Sequence, residues 1–116
     1  KQILLTAIDR TNMKSGNYTF LYTRNKDNMY LSYIYLPSAK GEQRTVYISA
    51  DAIYGKMLRK PISLNNINRI RLANSYWISI IYEDGNERTV SFGKENTNIM
   101  YEFLNQYMIC QKEMQE

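Results

Sequence analysis

Residues Tyr76 to Phe92 read YWISIIYEDGNERTVSF, and this stretch decides the fold class. Tyr76 to Glu83 is rich in aromatic and β-branched types, which suit a pleated, half-buried strand. Asp84-Gly85-Asn86 follows. Glycine and asparagine tolerate the positive φ that tight hairpins require. Arg88 to Phe92 is the return strand. Val90 and Phe92 alternate with Thr89 and Ser91, so one face of the hairpin is expected to be buried.

Working outward, Gly93 breaks the alternation and the period changes. Asn96, Thr97 or Asn98 can cap a helix by accepting backbone N–H bonds. Ile99, Phe103, Tyr107, Cys110 and Met114 recur at helical spacing, with Met100, Leu104 and Met108 beside them. This pattern predicts a helix over about Asn98 to Glu113, with an apolar stripe broad enough to cover a core. Upstream, strand-like runs occupy Ile3 to Arg10, Tyr18 to Arg24, Met29 to Leu36 and Arg44 to Ser49. The last is expected to continue through Asp51 to Tyr54 after a bend. Asn25 to Asn28 is turn material, and Ser38 to Gln43 reads as a loop. Ile67, Ile70 and Leu72 suggest one more strand.

About seven strands and a single C-terminal helix give a mainly β (α+β) fold. The order fits a strongly bent antiparallel sheet or small barrel capped by the helix. The cap answers a physical need, since an open barrel end would leave interior apolar side chains in water. The 116 residues make one domain spanning 1–116, and the 44% apolar and 22% charged fractions are those of a globular chain. The first residue is Lys1, so the domain is read as excised or processed from a longer chain.

The composition excludes several chemistries. One cysteine allows no internal disulfide, and the absence of histidine removes His bases and His-ligated metals. No run reaches the roughly 18 apolar residues of a membrane helix. Cys110 lies on the helix stripe and reads as a structural thiol. Asp51, Glu83 and Asp84 are scattered over strands and turns. No phosphate loop, nucleophile elbow or metal-ligand set is present, so no cofactor is expected and the chain is read as non-catalytic.

The charge is uneven. Lys1 to Leu72 holds 12 basic and 4 acidic residues, and Ala73 to Glu116 holds 3 and 7. Between Gly55 and Ala73 there are five cations and no acid: Lys56, Arg59, Lys60, Arg69 and Arg71. Arg69 and Arg71 are two apart and share a strand face, outward if Ile70 and Leu72 are buried. These five are the candidate site for an anionic partner. The eleven tyrosines are read mainly as half-buried structural residues; no RNP-like motif supports RNA reading, so nucleic acid is not expected.

Arg44 to Met108 resembles the pleckstrin-homology-like (PH-like) superfold, especially bacterial PH and GRAM-type domains. The resemblance rests on YISADAIYGK at 47–56, PISLNNINRIRL at 61–72, and the 76–92 hairpin followed by a helix. It implies a scaffold for binding phosphoinositides, peptides or partner proteins, through loops or a groove beside the helix. Trp77 departs from the pattern, because many eukaryotic PH domains place a tryptophan in the C-terminal helix. That weakens the link to phosphoinositide-binding members. Arg10, Lys14, Arg24 and Lys26 correspond to their lipid-binding region, yet Asp9 and Asp27 dilute them and no lipid role is carried over.

The expectation is therefore a binding module for a protein or peptide. The partner would touch a groove between the helix and Arg44 to Ser49, or the basic Lys56 to Arg71 region. One alternative is peripheral attachment to anionic membranes through the same cations. Another is a small-ligand carrier or small β-barrel enzyme. A cytoplasmic or membrane-peripheral location is expected, and loss of an upstream anchor or signal would equally allow an extracellular one.

Overall fold

The computed structural model describes residues 3, 6–7, 10–11, 19–24, 30–35, 45–48, 51–55, 58–74, 76–93 and 96–114, with 19–24, 30–35 and Thr45 described by backbone only. Among the described residues, eight antiparallel strands form two sheets. β1 (Thr19–Arg24), β2 (Tyr30–Tyr35), β3 (Thr45–Ile48), β4 (Ala52–Tyr54) and β5 (Ile62–Ser63) make the first, in sequence order. β6 (Ile67–Leu72), β7 (Ile78–Tyr82) and β8 (Glu87–Val90) make the second. The helix α1 spans Thr97–Met114. The fold is thus mainly β with a C-terminal helix. Among the described residues the ladders form two open sheets, and no pairing closes them into the expected barrel.

Two elements differ from expectation. Ile3, Thr6 and Ala7 are helical, and Arg10 N–H donates to Thr6 O at 3.1 Å. The run at Ile3 to Arg10 is therefore no strand at its described residues; they form a helical turn, and Ala7 is buried. The chain also does not continue past Asp51 in one direction. It reverses, and β4 pairs back on β3 with Ile48 opposite Ile53. The expected turn at Asn25 to Asn28 and loop at Ser38 to Gln43 lie outside the described residues.

The register explains the core. Ile48, Ile53 and Ile62 form one cross-strand row, and all three are fully buried. On the second sheet, Ile78 and Ile80 face the same side as Val90, Ile70 and Phe92. A helix stripe of Ile99, Met100, Phe103, Leu104, Tyr107 and Cys110 completes a single hydrophobic cluster. Burying an aliphatic or aromatic side chain of this kind contributes roughly 1.5–3 kcal/mol relative to leaving it exposed. Leu72 does not join the core; it is 43% exposed at the end of β6.

Helix α1 contacts β6 more than any other strand. Gly93, at φ 92°, turns the chain from sheet to helix in a region that side-chain-bearing residues avoid. Asn96 Nδ2 then donates to Phe92 O at 2.8 Å and Thr97 Oγ1 to Gly93 O at 3.1 Å, so both side chains bind the entering loop. At the far end, Arg10 binds Glu113 at 3.0 Å and donates to Cys110 Sγ at 3.3 Å, while Lys112 Nζ donates to Asn68 O at 3.0 Å.

Candidate functional site

The β7–β8 hairpin builds the site. Gly85 N–H donates to Tyr82 O at 2.9 Å, and Gly85 takes φ 91°, the left-handed conformation. Asp84 Oδ1 accepts Asn86 N–H at 2.9 Å and fixes the tip. Beyond it, Arg88 pairs opposite Ile80, on the apolar face. A guanidinium there must find acceptors or lose hydrogen bonds it had in water. It finds two, donating to Lys60 O and Pro61 O. Those bonds hold the connection before β5 against the hairpin.

Two open grooves flank Arg88. The first has a volume of about 510 Å³. Leu58, Arg59 and Lys60 line it from the connection, Thr89, Val90 and Ser91 from β8 and the next residue, and Trp77 from the turn before β7. That turn is fixed by Ala73 N–H donating to Trp77 O at 2.9 Å and Tyr76 N–H to Asn74 Oδ1 at 2.8 Å. The main chain of Trp77 is thus held while the residue stays 43% exposed. Arg59 and Lys60 are exposed, and no acidic side chain is among the described lining residues.

The second groove, of about 710 Å³, has the opposite character. Glu83, Asp84 and Glu87 line it with Arg88, and Ser63, Asn65 and Asn66 face them. Asn66 adopts φ 59°, and its carbonyl accepts Glu83 N–H at 2.9 Å. Tyr82 Oη donates to Ser63 O at 2.8 Å. Burial raises the Tyr82 phenol above its ordinary range; Arg88 pulls it down and Asp84 pushes it up. Tyr82 therefore sits where the two charge signs meet.

The four described candidate cations do not converge. Arg59 and Lys60 line the first groove. Lys56 lies outside the described residues. Arg69 and Arg71 lie on β6, the far edge of the sheet from β8, and line neither groove. Arg71 is 3.5 Å from Glu87, whose carboxylate also accepts the Ser79 hydroxyl. Arg71 thus meets an acid that the segment from Gly55 to Ala73 lacks. Arg88 and Trp77 were not foreseen as site residues. For Arg88 a signal existed, since it shares the parity of Val90 and Phe92 and so marks a cation on the buried face. The expected groove between helix and β3 is not among these two; Arg44 and Ser49 lie outside the described residues.

Other chemistry is structural. Burial pushes the Cys110 thiol up, against a smaller opposing pull from Arg10, so it stays protonated at neutral pH. Among the described residues no group of His, Cys, Asp or Glu is placed to hold a metal ion. No described helix is long and apolar enough to cross a membrane. No protein-family model matches the chain, and neither a curated protein nor a solved structure does.

Proposed function

We propose that this chain is a non-catalytic binding module, on a PH-like scaffold, that recognises a protein or peptide partner. The arrangement of antiparallel sheets followed by a C-terminal helix supports that scaffold. The observation that carries the function is Trp77, 43% exposed in a groove with Arg59, Lys60 and Arg88. Tryptophan and arginine in a partly enclosed pocket are the side chains that anchor partners most strongly. Among the described lining residues the only charges are positive, which favours an acidic partner.

Trp77 is the chain's sole tryptophan, so its fluorescence reports on this groove alone. The test titrates the protein with a blocked decapeptide of alternating glutamate and valine, and with its lysine–valine counterpart. A saturable change in Trp77 emission with the acidic peptide only, abolished by Arg59→Glu/Lys60→Glu, supports the reading. No change with the acidic peptide, or an equal change with both, overturns it.

A second reading is peripheral binding to anionic membranes. It is favoured by the adjacency of an exposed tryptophan to exposed cations, a combination suited to the headgroup region. Co-sedimentation with phosphatidylserine and with phosphatidylcholine vesicles decides it. Binding to the anionic vesicles alone, weakened as salt rises because exposed charges are screened within about 10 Å at 0.1 M, together with silence toward the acidic peptide, replaces the peptide reading.

A further inference from the structure

We infer that the partner binds as an added strand: an extended acidic segment pairs with the outer edge of β8 and lays its carboxylates along Arg59 and Lys60. This rests on the reading of the Trp77 groove as the binding site. The argument begins with the hydrogen-bond alternation. Tyr82 N–H donates to Asn86 O at 2.8 Å, which makes Tyr82 and Asn86 a hydrogen-bonded pair. In an antiparallel ladder such pairs alternate. Ile80–Arg88 and Ile78–Val90 are then hydrogen-bonded pairs too. The main chains of Arg88 and Val90 therefore face β7, and those of Glu87 and Thr89 face away from it.

Among the described residues β8 pairs with β7 alone, so it is an edge strand. An edge strand offers a row of main-chain donors and acceptors to any extended chain that reaches it. Proteins often blunt such edges with charges or cover them. Here the edge opens into a groove, with Thr89 itself exposed in the wall. The charge complement fixes the kind of occupant. Three cations with no acid among the described lining residues favour an acidic strand and repel a basic one. Trp77 lies one residue before Ile78, hence level with Ser91 across the hairpin, and gives an apolar contact at one end of the added strand.

Amide hydrogen exchange tests the geometry directly on the unaltered protein. With the glutamate–valine decapeptide at saturation, Thr89 N–H exchange is expected to slow at least about tenfold, because it gains a hydrogen bond. The Val90 amide, already directed at β7, changes far less. A second measurement uses Thr89→Pro, which removes the outward N–H at an edge position where proline is tolerated. The decapeptide should bind that variant at least about tenfold more weakly, and Thr89→Ala, which keeps the outward N–H, should weaken binding less than Thr89→Pro does. If Trp77 emission responds to the peptide but Thr89 exchange is unchanged, strand addition is wrong and the groove remains the binding site. If neither responds, both readings fall.

Discussion

Among the described lining residues, the groove beside Trp77 draws on Arg59, Lys60 and Arg88 with no acid, whereas the groove beside Asp84 sets Glu83, Asp84 and Glu87 against Arg88. Both are shaped by the same hairpin, and both use the same arginine. The cationic groove is built on a strand edge and a long connection. The anionic one is built at a turn whose carboxylates already have work: Asp84 fixes the tip and Glu87 accepts Ser79. The lesson is that charge alone does not nominate a binding surface. Acids committed to local hydrogen bonds shape a turn, and cations with exposed ends are available to a partner.

The largest effect expected is at the shared residue. Arg88→Ala loses two hydrogen bonds from a charged donor and should lower stability by about 2–3 kcal/mol. Urea unfolding would show this as a lower midpoint with an unchanged slope. A loss below about 0.5 kcal/mol, typical of an ordinary surface change, would mean the two grooves do not depend on Arg88. The same variant should push the Tyr82 phenol further up, because Arg88 is the group pulling it down, and Asp84→Asn should lower it. Ring NMR of Tyr82 across alkaline pH reads both.

A tyrosine remote from that boundary sharpens the contrast. Tyr107 is buried in the helix stripe, and burial, with a smaller contribution from Asp51, pushes its phenol up to about 12. The folded pKa exceeds the unfolded value of about 10, so the folded state holds its proton longer. Stability from this residue is complete below pH about 10 and is lost as pH rises toward about 12, amounting to roughly 2 kcal/mol. Tyr107→Phe should flatten that part of the stability–pH curve.

Smaller changes separate the grooves. Gly85→Ala forces a side chain into the left-handed region and should cost about 1 kcal/mol, while leaving Trp77 emission unmoved. Glu83→Gln should shift stability by less than about 0.5 kcal/mol, and should not weaken binding of the acidic peptide. A weakening would mean that the anionic groove takes part in recognition.

The return strand of the hairpin and the helix were legible because each shows one clear period. Val90 and Phe92 are buried as the alternation requires, and the helix runs from Thr97 to Met114 against an expected Asn98 to Glu113. The run at Ile3 to Arg10 misled because a short apolar cluster suits a helical turn as well as a strand. The reversal after β3 was missed because three-residue strands carry too little pattern. The candidate site was legible in part. Arg59 and Lys60 stood out as neighbours in sequence, but grouping them with Arg69 and Arg71 ignored the strand that separates β6 from β8. Arg88 comes to them only through the fold, since its partners Lys60 and Pro61 are far upstream in the chain.

The Arg10–Glu113 bridge has a consequence for how the chain can be re-cut. Residues 103 positions apart lie side by side, so a flexible linker joining the segments that carry them should leave the sheets undisturbed. New termini opened between Asp84 and Gly85, at an exposed hairpin tip, would then give a circular permutant. Such a permutant keeps β8 and its edge while cutting its covalent tie to β7. If it still folds, the pairing of these strands is sustained by the packed core and the Arg88 anchor, and the turn serves only as a connector.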